Sequence, residues 1–167
     1  MCSKSFFCLW LLIQSALILS ALDAGAQAYC VKKNKTELKS SPQKQAAVLA
    51  TVDRFTPLQG TGKKEPGWIE VVDFENEKYW VPRKSVTTAF KCLVIKKKSA
   101  KIRTGPGKDF PLAEPGTAEK SEAFKDLSGE DGWNKVESAE GKSGWVDLNN
   151  VWQPINHRFR MSFENDD

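Results

Sequence analysis

The chain has 167 residues, 40% of them hydrophobic and 28% charged, with a formal net charge of +4. This balance excludes collagen-like, mucin-like and wholly disordered chains, which lack the apolar residues that offset the entropy of ordering. The length admits one ordinary domain or two very small ones, and a lone histidine, His157, with four cysteines leaves most metal and nucleophile chemistries short of parts.

Phe6 to Leu22 is an apolar run broken only by Gln14, Ser15 and Ser20 and preceded by Lys4. As a helix it spans roughly 25 Å, short of a bilayer core of about 30 Å. Ala26-Gln27-Ala28 follows, the small-x-small pattern of a signal-peptidase site. Residues 1–28 therefore read as a signal peptide cleaved between Ala28 and Tyr29, with an uncleaved anchor as the alternative. The mature chain is then periplasmic or secreted and meets a membrane only during export. Cleavage removes Cys2 and Cys8 and leaves Cys30 and Cys92 in an oxidising compartment. A disulfide between them and two separately buried thiols are both open; their matching places in the repeat described next favour the bridge.

The mature chain is written twice. Gly67-Trp68 recurs as Gly132-Trp133, Val71 as Val136, Trp80-Val81 as Trp145-Val146 and Val86 as Val151, each 65 positions on. Upstream, Leu38-Lys39-Ser40-Ser41-Pro42 answers Ile102-Arg103-Thr104-Gly105-Pro106 at an offset of 64, and the cysteines stand 62 apart. Offsets that change only between motifs indicate loop insertions between fixed strands. The boundaries that follow are 29–88 for the first repeat, 89–153 for the second and 154–167 for a C-terminal tail.

Each repeat has the texture of short strands. Trp68-Ile69-Glu70-Val71-Val72 and Trp133-Asn134-Lys135-Val136 alternate in part with period two. Asp73–Lys78 and Ser138–Ser143 are charged, turn-like stretches of hairpin length, and prolines punctuate the loops. A unit of about 60 residues built this way buries a core by curling into a small barrel. In the tail, Phe159, Met161 and Phe163 alternate with Arg158, Arg160 and Ser162, a pattern that suits an edge strand on the second repeat or strand addition to a partner.

The Arg103-Thr104-Gly105-Pro106-Gly107 turn, the Gly132-Trp133-x-x-Val136 strand and the closing Gly144-Trp145-Val146 resemble the bacterial SH3 (SH3b) domain. The first repeat resembles it more distantly, with Lys39-Ser40-Ser41-Pro42 at the turn and Tyr79 in place of the second glycine. The resemblance covers nearly all of the mature chain. It implies an all-β protein of two tandem small SH3-like β-barrels, linked by the Cys30–Cys92 disulfide, that bind a peptidoglycan peptide or an envelope protein. It places candidate ligand-binding residues at Trp68, Trp80 and Pro82 in the first repeat and at Trp133 and Trp145 in the second. Tyr79, beside Trp80, and Arg103 complete the set. A structural or regulatory scaffold of the cell envelope, with no peptide groove in use, is the alternative.

Lys32, Lys33, Lys35 and Lys39 recur as Lys96, Lys97, Lys98, Lys101 and Arg103. The preferred reading is a solvated edge whose lysines discourage strand-to-strand aggregation, rather than a stripe for an anionic polymer. Nucleic acid is not expected as a partner, given the export signal and a pI near 8.8. Catalysis, a metal and a cofactor are likewise not expected. A Cys–His nucleophile needs an imidazole within reach of a thiolate, and a zinc site needs three or four ligands. Gly60-Thr61-Gly62-Lys63 lacks the spacing and the following Ser or Thr of a phosphate loop.

Overall fold

The computed structural model describes residues 27–155. All but the last two residues of the expected signal peptide, and the Phe159–Phe163 pattern of the tail, lie outside the described residues. The described residues are all-β, in two seven-stranded antiparallel sheets. The first holds β1 (Ala28–Val31), β2 (Thr36–Lys39), β3 (Val48–Val52), β4 (Pro57–Glu65), β5 (Trp68–Val72), β6 (Lys78–Pro82) and β7 (Val86–Thr87). They are ordered β3-β2-β6-β5-β4-β1-β7. The second holds β8 (Lys91–Ile95), β9 (Ser99–Arg103), β10 (Leu112–Glu119), β11 (Ala123–Glu130), β12 (Trp133–Glu137), β13 (Ser143–Asp147) and β14 (Val151–Trp152). Its order, β10-β9-β13-β12-β11-β8-β14, repeats the first.

Alternation along the strands builds each core. Ile69 and Val71 of β5, Val81 of β6, Leu38 of β2 and Leu58 of β4 form one buried cluster. Val136, Val146, Ile102 and Phe124 form its counterpart in the second sheet. Each such side chain contributes roughly 1.5–3 kcal/mol by leaving water. The turns follow local chemistry. Asp73 Oδ1 accepts from the amides of Glu75 (2.9 Å) and Glu77 (3.0 Å), closing the β5–β6 hairpin. Ser138 Oγ does the same for Glu140 and Lys142, both at 3.3 Å, in β12–β13. At the other end of these hairpins, Asp131 (φ 44°) and Gly132 (φ 82°) both take the left-handed conformation of a two-residue β-turn.

The sheets differ from the expected closed barrels. Their pairings leave β3 and β7, and likewise β10 and β14, as edges. β7 and β14 are two residues long and follow 3₁₀ turns, Arg83–Ser85 and Leu148–Asn150, which carry the chain across to β1 and β8 instead of alongside β3 and β10.

Cys30 and Cys92 form a disulfide, with Cα atoms 5.9 Å apart. Both are buried beside Phe55 and Phe90, whose rings meet edge to face at 5.6 Å. The bridge joins β1 to β8, but not at equivalent places. Val31 pairs with Val86 and Ile95 with Val151, while Tyr29 pairs with Leu58 and Leu93 with Phe124. The ladder therefore runs at an offset of 64, which makes Val94 the counterpart of Cys30 and Ala28 that of Cys92. The spacing of 62 aligns two identical letters two residues out of register. Because strand side chains alternate with period two, that slip still leaves both sulfurs on the same kind of face.

Candidate functional site

The β5–β6 hairpin presents its non-core face as a platform. In register, Trp68 stands opposite Pro82 and Glu70 opposite Trp80, while Trp80 also pairs with Lys39 of β2. Cross-strand partners share a face, so Trp68, Glu70, Trp80, Pro82 and Lys39 lie on one side, away from Ile69 and Val81. Two backbone features set the platform's end. Gly67 takes φ +80° in the Pro66-Gly67 turn that starts β5, and the Arg83 amide donates to the Gly67 carbonyl at 2.9 Å. That bond holds the 3₁₀ turn against the start of the tryptophan strand. Leu148 N to Gly132 O, also 2.9 Å, repeats it in the second sheet.

A groove of about 890 Å³ opens at this end. Trp68, Pro82, Pro66 and Gly67 form its apolar wall, and Lys39, Lys44, Arg83, Lys84 and Glu37 surround it. Lys39 is committed internally. Its Nζ lies 3.1 Å from Glu37 Oε2 and donates to the carbonyls of Lys44 (2.9 Å) and Ala46 (3.3 Å), with the side chain 11% exposed. Lys44, Arg83 and Lys84 are exposed, and they leave the rim positive. The arrangement suits an extended ligand that stacks on an indole and a proline ring and offers a carboxylate to the rim.

Glu70 lies on this face, opposite Trp80. Thr61 Oγ1 donates to Glu70 Oε2 at 2.7 Å, and Lys63 Nζ lies 3.5 Å from Oε1. The Thr61 hydroxyl first, and then the Lys63 charge, hold the Glu70 carboxyl below its usual range against the opposing effect of burial. Gly60-Thr61-Gly62-Lys63 is thus a bulge in β4: Gly60 pairs with Val71 and Lys64 with Ile69, so three residues stand opposite Glu70 alone.

The candidate residues fall into three places. Trp68 and Pro82 line the groove. Trp80 shares their face over Glu70 and Lys39. Tyr79 faces the other way, packing on the first core, and its hydroxyl donates to Asp73 Oδ2 at 3.2 Å. Burial and the Asp73 carboxylate push its phenol up to about 12. In the second sheet Trp145 stands opposite both Lys135 and Arg103, and Trp133 opposite Asp147. Arg103 Nη1 donates to the Phe110 carbonyl at 2.6 Å. Glu70 and Pro82 of the first platform are thus replaced by Lys135 and Asp147 in the second, so the two faces differ in charge pattern. Lys44, Arg83 and Lys84 are absent from the sequence-based set. Arg83 and Lys84 directly follow Pro82, which is the available signal, whereas Lys44 comes from a distant loop.

Among the described residues no group of three or more His, Cys, Asp or Glu is placed to hold a metal ion. No family model matches the chain, and no curated protein matches it. Among solved structures it is similar to NlpC1 from Trichomonas vaginalis at 15% identity, covering 75% of this chain and 45% of that one, with a TM-score of 0.33. NlpC2 from Trichomonas vaginalis matches at 14% identity over 76% and 48%, TM-score 0.33. An NlpC/P60 family protein from Bacillus cereus ATCC 10987 matches at 13% identity over 76% and 56%, TM-score 0.32. The chain spans about half the length of these proteins.

One expectation is corrected. The solved structures to which the chain is similar are NlpC proteins and an NlpC/P60 family protein, and the sequence-based exclusion of an enzyme is withdrawn. That exclusion rested on a shortage of thiol and imidazole. In the structure it speaks only for residues 27–155, where both cysteines are bound to each other.

Proposed function

We infer that the protein is an exported binding protein whose two units, 29–88 and 89–153, act as SH3-like modules, and that the first unit holds a peptide in the Trp68–Pro82 groove. The ligand class is a cell-wall peptide, or a segment of an envelope protein, that carries a carboxylate. The observation that carries this reading is the groove itself, in which an indole and a proline ring form one wall and Lys44, Arg83 and Lys84 stand at the rim. Export through the 1–28 leader places the module where such peptides are found. The groove favours this reading over a scaffold that acts only through packing, because a packing surface needs no open cleft beside its tryptophan.

Retention on purified peptidoglycan tests the proposal. The intact mature chain is retained at low ionic strength, and Arg83→Ala/Lys84→Ala weakens retention and flattens its salt dependence, since exposed charges are screened within about 10 Å at 0.1 M salt. Equal retention of this variant and the parent at every salt concentration contradicts the assignment of the rim.

A further inference from the structure

The two units differ most at the far end of their hairpins. In β6, Tyr79 pairs with Val71; in β13, Gly144 pairs with Val136. Gly144 therefore holds the place of Tyr79, Ser138 that of Asp73, Ile102 that of Leu38 and Phe124 that of Leu58. In the first unit the tyrosine ring packs on the core and its hydroxyl reaches Asp73. In the second unit the same place is a pocket of about 250 Å³ floored by Ile102, Phe124, Val136 and Gly144.

Two further departures build this pocket. A Cβ placed on Gly144 would lie 2.3 Å from Ile102 Cγ2, so Ile102 excludes a side chain at position 144 and the pocket is not plugged from its own strand. β10 is also longer than β3 by two residues at the corresponding bulge. Leu112 and Thr117 pair with Arg103 and Lys101, whereas Val48 and Thr51 pair with Lys39 and Glu37. The added segment supplies Glu114 and Pro115 to the pocket wall. Glu114, Glu122 and Glu140 at the rim outnumber Lys142, and all four are exposed.

We propose that this pocket of the second unit is a binding site for an aromatic side chain, tyrosine in the first place, carried on a partner polypeptide between basic residues. The first unit shows that a phenol ring is accommodated at this place in the fold, and Ser138, at the place of Asp73, lines the pocket. An apolar floor with a few polar groups at its margin is the usual make-up of a side-chain pocket. The carboxylate rim adds attraction for flanking cations. The site is separate from the Trp68 groove and opposite to it in charge.

The probes are the tripeptides Ac-Lys-Tyr-Lys-NH2 and Ac-Glu-Tyr-Glu-NH2, titrated into the full mature chain at low salt and followed by NMR. Saturable shifts at the Ile102 and Val136 methyls and the Gly144 amide are expected, with Leu38 and Val71 of the plugged first unit unmoved. The lysine peptide is expected to bind at least threefold more tightly than the glutamate peptide. Ile102→Leu/Gly144→Tyr transplants the first unit's pair and is expected to abolish the shifts. Should that variant fail to fold, Glu114→Lys/Glu140→Lys, both at exposed positions, serves instead and is expected to erase the preference between peptides. Absence of saturable shifts, equal shifts in the first unit, or an unchanged preference in the charge-reversed variant overturns the proposal. It is also overturned if binding appears only after residues 156–167 are removed, because the tail's own Arg158-Phe159-Arg160 would then be the occupant.

Discussion

Glu70 has a carboxylate largely withdrawn from water, yet the Thr61 hydroxyl and the Lys63 ammonium favour its charged form. Its folded pKa therefore lies below the ordinary 4.5. The stabilisation is fully present above that value and is lost as pH falls through the lower folded one. Thermal melts of the parent and Glu70→Gln are expected to differ at pH 6 and to converge as pH falls below 4.5; a gap that widens on acidification contradicts this reading. Tyr79 has the opposite sign. Its phenol, held neutral by burial and Asp73 up to about 12, stabilises the fold below the ordinary value of 10.0, and that contribution is lost as pH rises through 12. Absorbance titration is expected to show a late-ionising phenol that is missing from Tyr79→Phe. The same variant is expected to lose about 1 kcal/mol in urea denaturation at neutral pH, the usual net worth of one hydrogen bond.

At the scale of the elements, the β5–β6 and β12–β13 hairpins organise both the cores and the candidate sites. Their twofold appearance was legible from Gly67-Trp68 and Gly132-Trp133, because a glycine in the left-handed conformation followed by an alternating strand is a local device. Gly132→Ala is expected to cost about 1–2 kcal/mol, the penalty for a Cβ in that conformation, and the urea midpoint measures it; an unchanged midpoint excludes the turn as a fixed point. Position-by-position comparison worked wherever both repeats keep the same register, as at Trp80 and Trp145. It failed at the cysteines, where like letters sit on unlike rungs, and it missed the extra residues of β10, whose effect is seen only in what they line. The pairing of edges was also beyond reach, since a two-residue strand such as β7 has no periodicity to read. Of the candidate site, Trp68 and Pro82 were legible as the two ends of one hairpin. Tyr79, adjacent to Trp80 in one strand, lies on the opposite face, as strand alternation dictates.

At the scale of the whole molecule, two open sheets of the same plan are fastened at β1 and β8 by a buried disulfide with Phe55 and Phe90 around it. Contacts elsewhere between them include Lys120 Nζ to Glu75 Oε1 at 2.6 Å and Ile155 N to Gln59 Oε1 at 2.9 Å. The first of these is exposed and adds little. The bridge closes a loop of 62 residues and is expected to contribute about 4 kcal/mol in the chain-entropy account. Cys30→Ala/Cys92→Ala should show that loss in guanidinium unfolding; a change below about 1 kcal/mol would mean that the two sheets are held by their packing alone.

In the proposed function the first unit's groove, and not the corresponding tryptophan of the second, holds the carboxylate-bearing peptide. The most direct test measures retention of the intact mature chain on purified peptidoglycan for the parent, Trp68→Ala and Trp133→Ala, with folding of each checked by circular dichroism. Trp68→Ala is expected to lose at least tenfold in affinity, in line with about 2 kcal/mol for truncating a central aromatic anchor, while Trp133→Ala binds as the parent does. A folded Trp68→Ala protein that is retained as well as the parent contradicts the account.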